Sequence, residues 1–106
     1  MAKYLFQATY SAEGAKALLG EGGTKRRDAA TKAIKAAGGK VEAFYFTFGK
    51  SDAMVIVDLP DNVSAAAVAL AINASGVVTT STTVLLTPGE IDEAVKKSVP
   101  YRGAGQ

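Results

Sequence analysis

From Lys3 to Tyr10 the chain alternates, with Tyr4, Phe6, Ala8 and Tyr10 on one side and Leu5, Gln7 and Thr9 on the other, the period of a half-buried strand. The period then lengthens. Ser11 stands where an N-cap belongs, and Ala15, Leu18 and Leu19 recur at helical spacing until Gly20, Gly22 and Gly23 break it. Helical spacing resumes after Thr24, where Ala29, Ala30, Ala33, Ile34 and Ala37 form a narrow apolar stripe opposite Lys25, Asp28, Lys32 and Lys35. Gly38-Gly39 closes this helix with a left-handed cap. Val41 to Phe48 and Asp52 to Leu59 are two runs of strand formers separated by Gly49-Lys50-Ser51, which predicts a hairpin. Pro60 cannot donate to a sheet and Asp61 or Asn62 can cap, so a second long helix is expected from there to about Ser75, where Gly76 stops it. Val77 to Leu86 reads as a fourth strand, rich in threonine and only weakly alternating. Thr87-Pro88-Gly89-Glu90 is a capping box with proline at the first helical position, opening a short final helix through Ile91, Ala94 and Val95.

This order, strand-helix-strand-strand-helix-strand, defines an α+β domain of ferredoxin-like βαββαβ type, with an antiparallel four-stranded sheet and a short C-terminal helix. One domain is expected over residues 1–99, with 100–106 as a tail. Right-handed crossovers put both long helices on one face of the sheet. The other face then needs attention, because neither side of the hairpin is polar. Val41, Ala43 and Tyr45 stand against Phe44, Phe46 and Phe48 on one strand, and Val55, Val57 and Leu59 against Met54 and Ile56 on the next. Leaving about five large apolar side chains in water forgoes about 1.5 to 3 kcal/mol each, on the order of 10 kcal/mol, which rivals the net stability of a whole domain. A homodimer or higher homo-oligomer is the simpler outcome.

Composition removes whole classes of chemistry. The chain of 106 residues has no cysteine and no histidine. Disulfides and thiolate catalysis are thereby excluded, and the commonest general base, zinc ligand and proximal haem ligand are missing. No cofactor and no metal are expected. Lys3 to Tyr10 alternates where a secretory leader would carry a basic and then an apolar stretch, so a cytoplasmic location is expected. The longest apolar run, Ala65 to Ile72, falls far short of the roughly 20 residues that cross a bilayer, and no membrane partner is expected. A net charge of +2 is too small to argue for nucleic acid. The third strand also lacks the aromatics on which an RNA-recognition sheet stacks bases, so no nucleic acid partner is expected.

Few residues carry candidate chemistry. Gly22-Gly23-Thr24 ahead of Lys25, Arg26 and Arg27 could offer backbone N–H groups and cations to an anion, although a solvated basic turn explains the cluster as well. It lacks the glycine-lysine-threonine ending of a P-loop. Asp52 ends the hairpin loop, where it could orient a ligand or pair with Arg26 or Arg27, and where a turn role is the simpler reading. Tyr45 could present its hydroxyl in a pocket walled by phenylalanines, as could Tyr4 or Tyr10. The alanines of the second long helix imply either close approach to the sheet or room beside it. In the second case a small apolar ligand would find Asn73, Thr80, Thr82 or Thr83 for polar contacts. Asp61 and Asn62 read as helix caps and Asp58 as a strand-end carboxylate.

Phe44-Tyr45-Phe46-Thr47-Phe48-Gly49-Lys50-Ser51-Asp52, followed by Val55-Ile56-Val57-Asp58-Leu59-Pro60-Asp61-Asn62, resembles the GYD-domain proteins. The likeness extends through Gly22-Gly23-Thr24-Lys25-Arg26-Arg27, Gly38-Gly39-Lys40 and Leu85-Leu86-Thr87-Pro88, and so covers nearly the whole domain. Ser51 departs from the family's naming motif, which places tyrosine before the aspartate, so no role resting on that phenol carries over. The resemblance implies a dimeric α+β barrel, in which paired ferredoxin-like sheets close on one another with helices outside. The family is functionally uncharacterised. Two readings follow: a homo-oligomeric binding or regulatory protein for a small apolar or anionic ligand, with Tyr45, Asp52, Lys25, Arg26 and Arg27 as candidate ligand-binding residues, or a cofactor-independent monooxygenase or isomerase.

Overall fold

The computed structural model describes residues 1–106 and contains four strands and four helices. In chain order these are β1 (Ala2–Tyr10), α1 (Ala12–Glu21), α2 (Gly23–Ala36), β2 (Lys40–Phe46), β3 (Ala53–Leu59), α3 (Asn62–Ala74), β4 (Val78–Leu85) and α4 (Pro88–Val95). The strands form one sheet in the order β2-β3-β1-β4, with every adjacent pair antiparallel. This is the ferredoxin-like α+β arrangement expected from the alternation of strand and helix periods. The expected single break near Gly22 is present, where φ is +82° and α1 gives way to α2.

Helix ends follow local chemistry. The Ser11 hydroxyl accepts from the Gly14 N–H, the Asp61 carboxylate accepts from the Ser64 N–H at 2.8 Å, and Thr87 and Glu90 complete a reciprocal capping box. Gly38 carries the left-handed φ of +87° after α2, and Gly39 follows it against β3. A Cβ on Gly39 would collide with the Asp58 carbonyl and the Leu59 side chain, so only glycine lets β2 begin there.

The core lies between the sheet and the helices. Tyr4 and Phe6 from β1, and Val55, Val57 and Leu59 from β3, meet Ile34 of α2 and Ala65 and Val68 of α3 in one buried cluster. Both long helices therefore cover the same face, as right-handed crossovers require. The Tyr4 hydroxyl, deep in this layer, donates to Asn62 Oδ1 at 2.6 Å and so carries no unsatisfied polar atom inward.

Strand β2 departs from strict alternation. Val41 pairs with Val57 and Ala43 with the adjacent Ile56, which leaves Glu42 as the extra residue of a β-bulge. Val41 thereby joins Phe44 and Phe46 on the helix-covered face, while Ala43 and Tyr45 remain on the other. The grouping of Val41 with Ala43 and Tyr45 is thus corrected, because a bulge shifts the register by one residue and flips every side chain before it.

The uncovered face is divided. Its β2–β3 half, with Leu5 beside it, presents Ala43, Tyr45, Met54 and Ile56, and Tyr45 is 65% exposed. Its β1–β4 half presents Gln7, Thr9, Thr79, Ser81 and Thr83. The apolar character expected of this face is therefore confined to the hairpin side. Beyond β4, residues 86–102 are exposed throughout, and α4 buries none of its residues against the rest of the chain.

Candidate functional site

Between the covered face and the helices the structure leaves a cavity of about 340 Å³. Its floor is the sheet: Phe6, Ala8 and Tyr10 of β1, Phe44 of β2, Ala53 and Val55 of β3, and Val78 and Thr80 of β4. Its roof is Ala29, Ala30 and Ala33 of α2 with Ile72 and Ser75 at the end of α3. The cause is side-chain size, since the methyl groups of Ala29, Ala30 and Ala33 cannot fill the space that longer side chains would take, and Ala29 and Ala33 stay exposed. None of the α3 alanines lines this space, and Ala65 is buried against the sheet, so the second long helix approaches closely there and the room lies instead under the alanines of α2.

One charged group lines the cavity. Arg26, in the second turn of α2, reaches its wall with a side chain 32% exposed and lies 3.6 Å from a carboxylate oxygen of Glu21 at the end of α1. Two of the three hydroxyls in the wall are engaged, while the phenol of Tyr10, one of the tyrosines the sequence offered for a pocket, makes no hydrogen bond within the chain. Ser75 donates to the Ile72 carbonyl at 2.7 Å, and the Thr80 hydroxyl and N–H both meet Asn73 Oδ1, at 3.2 and 2.8 Å. Asn73 is thus a tie between α3 and β4, while Thr80 reaches the cavity that residue types alone had suggested.

The remaining sequence candidates lie elsewhere. Tyr45 is on the opposite face of the sheet, among Ala43, Met54 and Ile56. Lys25 is exposed beside Arg26, and Arg27 pairs with Asp28 at 3.3 Å. Asp52 pairs with neither arginine: its carboxylate accepts from the Tyr10 N–H at 2.9 Å, its own N–H donates to the Ala8 carbonyl, and its carbonyl accepts from the Thr47 N–H. It therefore locks the hairpin loop onto the end of β1, the turn role expected of an aspartate there. Thr82 stands by a smaller recess next to Tyr4 and Asn62, and Thr83 is on the uncovered face.

Two features were not visible in residue order. Lys3 bridges Asp58 at 2.9 Å and Glu42 at 3.3 Å, because strand pairing sets Lys3 opposite Asp58 and the bulge turns Glu42 toward both. Hydrogen bonding to Asp58, with a second bond donated to Glu42, raises the Lys3 pKa above its ordinary value against the opposing effect of desolvation. The second feature is a polar recess of about 370 Å³ on the uncovered face, lined by Gln7, Thr9, Lys50, Ser51, Thr79, Thr80 and Ser81. Ser51, where the naming motif would carry tyrosine, sits in this wall, and its carbonyl accepts from the Thr47 hydroxyl at 2.6 Å.

The fold and cavity define a small ferredoxin-like α+β domain with an apolar chamber under its helices. Among protein families, the GYD-domain model matches residues 4–95, and the chain belongs to the GYD-domain family. No curated protein and no solved structure matches it.

Proposed function

We propose that this GYD-domain protein is a homo-oligomeric small-molecule-binding protein whose ligand enters the chamber beneath α2 and α3. The observation that carries the reading is the chamber itself, apolar over most of its wall, with one cation at its edge. Its volume falls at the small end of the range of about 300 to 1,000 Å³ typical of ligand pockets. No carboxylate lines it, the Ser75 and Thr80 hydroxyls are spent on structural bonds, and the Tyr10 phenol has no base beside it in the wall, so binding is favoured over proton transfer as the use of this space.

Self-association is supported by the surfaces left uncovered. Four strands of about seven residues present about 19 by 24 Å, or roughly 450 Å² in projection. A standard interface takes about 800 Å² from each partner. The C-terminal arm supplies further apolar surface, since Leu86, Ile91, Val95, Val99 and Tyr101 are all exposed. Two copies meeting through their open sheet faces, each arm reaching to its partner, would shelter both sets of side chains.

Native mass spectrometry of the protein purified from its own host tests both parts. Oligomers that retain a small molecule, released on unfolding, are expected. A ligand-free monomer at micromolar concentration overturns the reading.

A further inference from the structure

We infer that the chamber selects a small monocarboxylic acid, held by Arg26 in place of Glu21, with its apolar body against the alanines of α2. This rests on the binding reading above and names the ligand class. The Arg26 guanidinium has five N–H donors, yet it makes no hydrogen bond within the chain. Its ion pair with Glu21, at 3.6 Å, is longer than the roughly 2.7 to 2.9 Å of a charge-assisted bond, and the Glu21 side chain is nearly half exposed. Such a pair is worth little in water and is readily exchanged. A ligand carboxylate entering from the chamber side would meet a planar donor fork matched to its two oxygens.

Charge and size narrow the class. Arg26 is the sole charged side chain in the wall. A monoanion is therefore neutralised, whereas a phosphate dianion would bring a second charge into an apolar space with no partner for it. A cation would lie beside the guanidinium and be repelled. The wall around Ala29, Ala30, Phe44 and Val55 suits an aromatic ring or a short branched chain.

Isothermal titration calorimetry on the full chain, with 4-phenylbutyrate, 4-phenylbutanol and 4-phenylbutylamine as probes, tests this. The acid should bind about ten- to a hundredfold more tightly than the alcohol, and the amine weakest. In Arg26→Gln that preference should collapse while the alcohol's affinity is kept, and Ala30→Leu should remove binding of all three, with circular dichroism confirming that both variants are folded. An alcohol that binds as tightly as the acid, or an acid preference that survives Arg26→Gln, overturns the monocarboxylate assignment and leaves the chamber as a binding site. Absence of binding by every probe, or binding undiminished in folded Ala30→Leu, overturns the chamber reading and this inference with it.

Discussion

Neighbouring residues of one strand meet opposite fates in this protein. On β3, Val57 and Leu59 are 0% exposed beneath the helices, while Met54 and Ile56, facing the other way, stay half-buried with no element over them. On β2, Phe44 closes the floor of the chamber, and Tyr45, the next residue, stands in solvent. The two faces are thus nearly equal in apolar content along the hairpin and unequal in cover. Two helices suffice to roof one face of a four-stranded sheet, and α4, which buries none of its residues, does not cover the other. The covered face gives the domain its stability and its chamber, and the open face leaves the apolar side chains of the hairpin without cover.

The contrast can be broken first where it is steepest. Leu59→Ala should lower unfolding free energy by about 2 to 5 kcal/mol, read by urea denaturation, because a fully buried side chain leaves a cavity behind. Gly39→Ala should cost about 1 to 3 kcal/mol, since its methyl meets the Asp58 backbone and the Leu59 side chain where β2 joins the covered layer. Asp61→Ala should lower the urea midpoint by less than either, by removing the cap of α3, the helix that covers β3 and β4.

Titration sharpens the same contrast. The bond from the Ser64 N–H holds the Asp61 carboxyl below its ordinary pKa. Its contribution to stability is therefore present above the ordinary aspartate value and fades as pH falls through the lower, folded one. Lys3, on the open face, has a raised pKa, so its contribution is complete below the ordinary lysine value and fades as pH rises through the higher, folded one. Melting temperature against pH should lose part of its acid limb in Asp61→Asn and part of its alkaline limb in Lys3→Met. The smallest expected change in the chain's own stability, within about 0.5 kcal/mol, is that of Tyr45→Lys, since the side chain is largely exposed. Sedimentation velocity should nonetheless show this variant shifted toward the monomer. A variant that sediments as the parent does removes the hairpin half of the open face from the association surface.

Much of this architecture was legible in residue order, for reasons local to each segment. Ser11, Asp61 and the Thr87 capping box cap as their side chains require, and the glycines at 22, 38 and 76 adopt the positive φ that ends or breaks a helix. The covered core of β1 and β3 followed from period two alone. The candidate site was less legible. Asp52 could be placed in the hairpin loop, yet its partner is the Tyr10 N–H, 42 residues away in sequence. Arg26 was one of three adjacent cations, and only the packing of α2 on the sheet distinguishes it from Lys25 and Arg27 by turning it to the chamber.

By itself, then, the order of polar and apolar residues determined which segments are helix and which are strand, their ends to within about two residues, with β2 stopping at Phe46 and Phe48 left exposed in the loop, and that the hairpin would be greasy on both sides. These are properties of a few adjacent residues, set by backbone sterics, capping and side-chain period. The bulge at Glu42, the polar half of the open face, the Lys3–Asp58 pair and the chamber were decided only by tertiary structure. Each depends on which strands lie side by side, or on how far α2 stands from the sheet, and those distances are balanced across the whole domain rather than within any one segment of it.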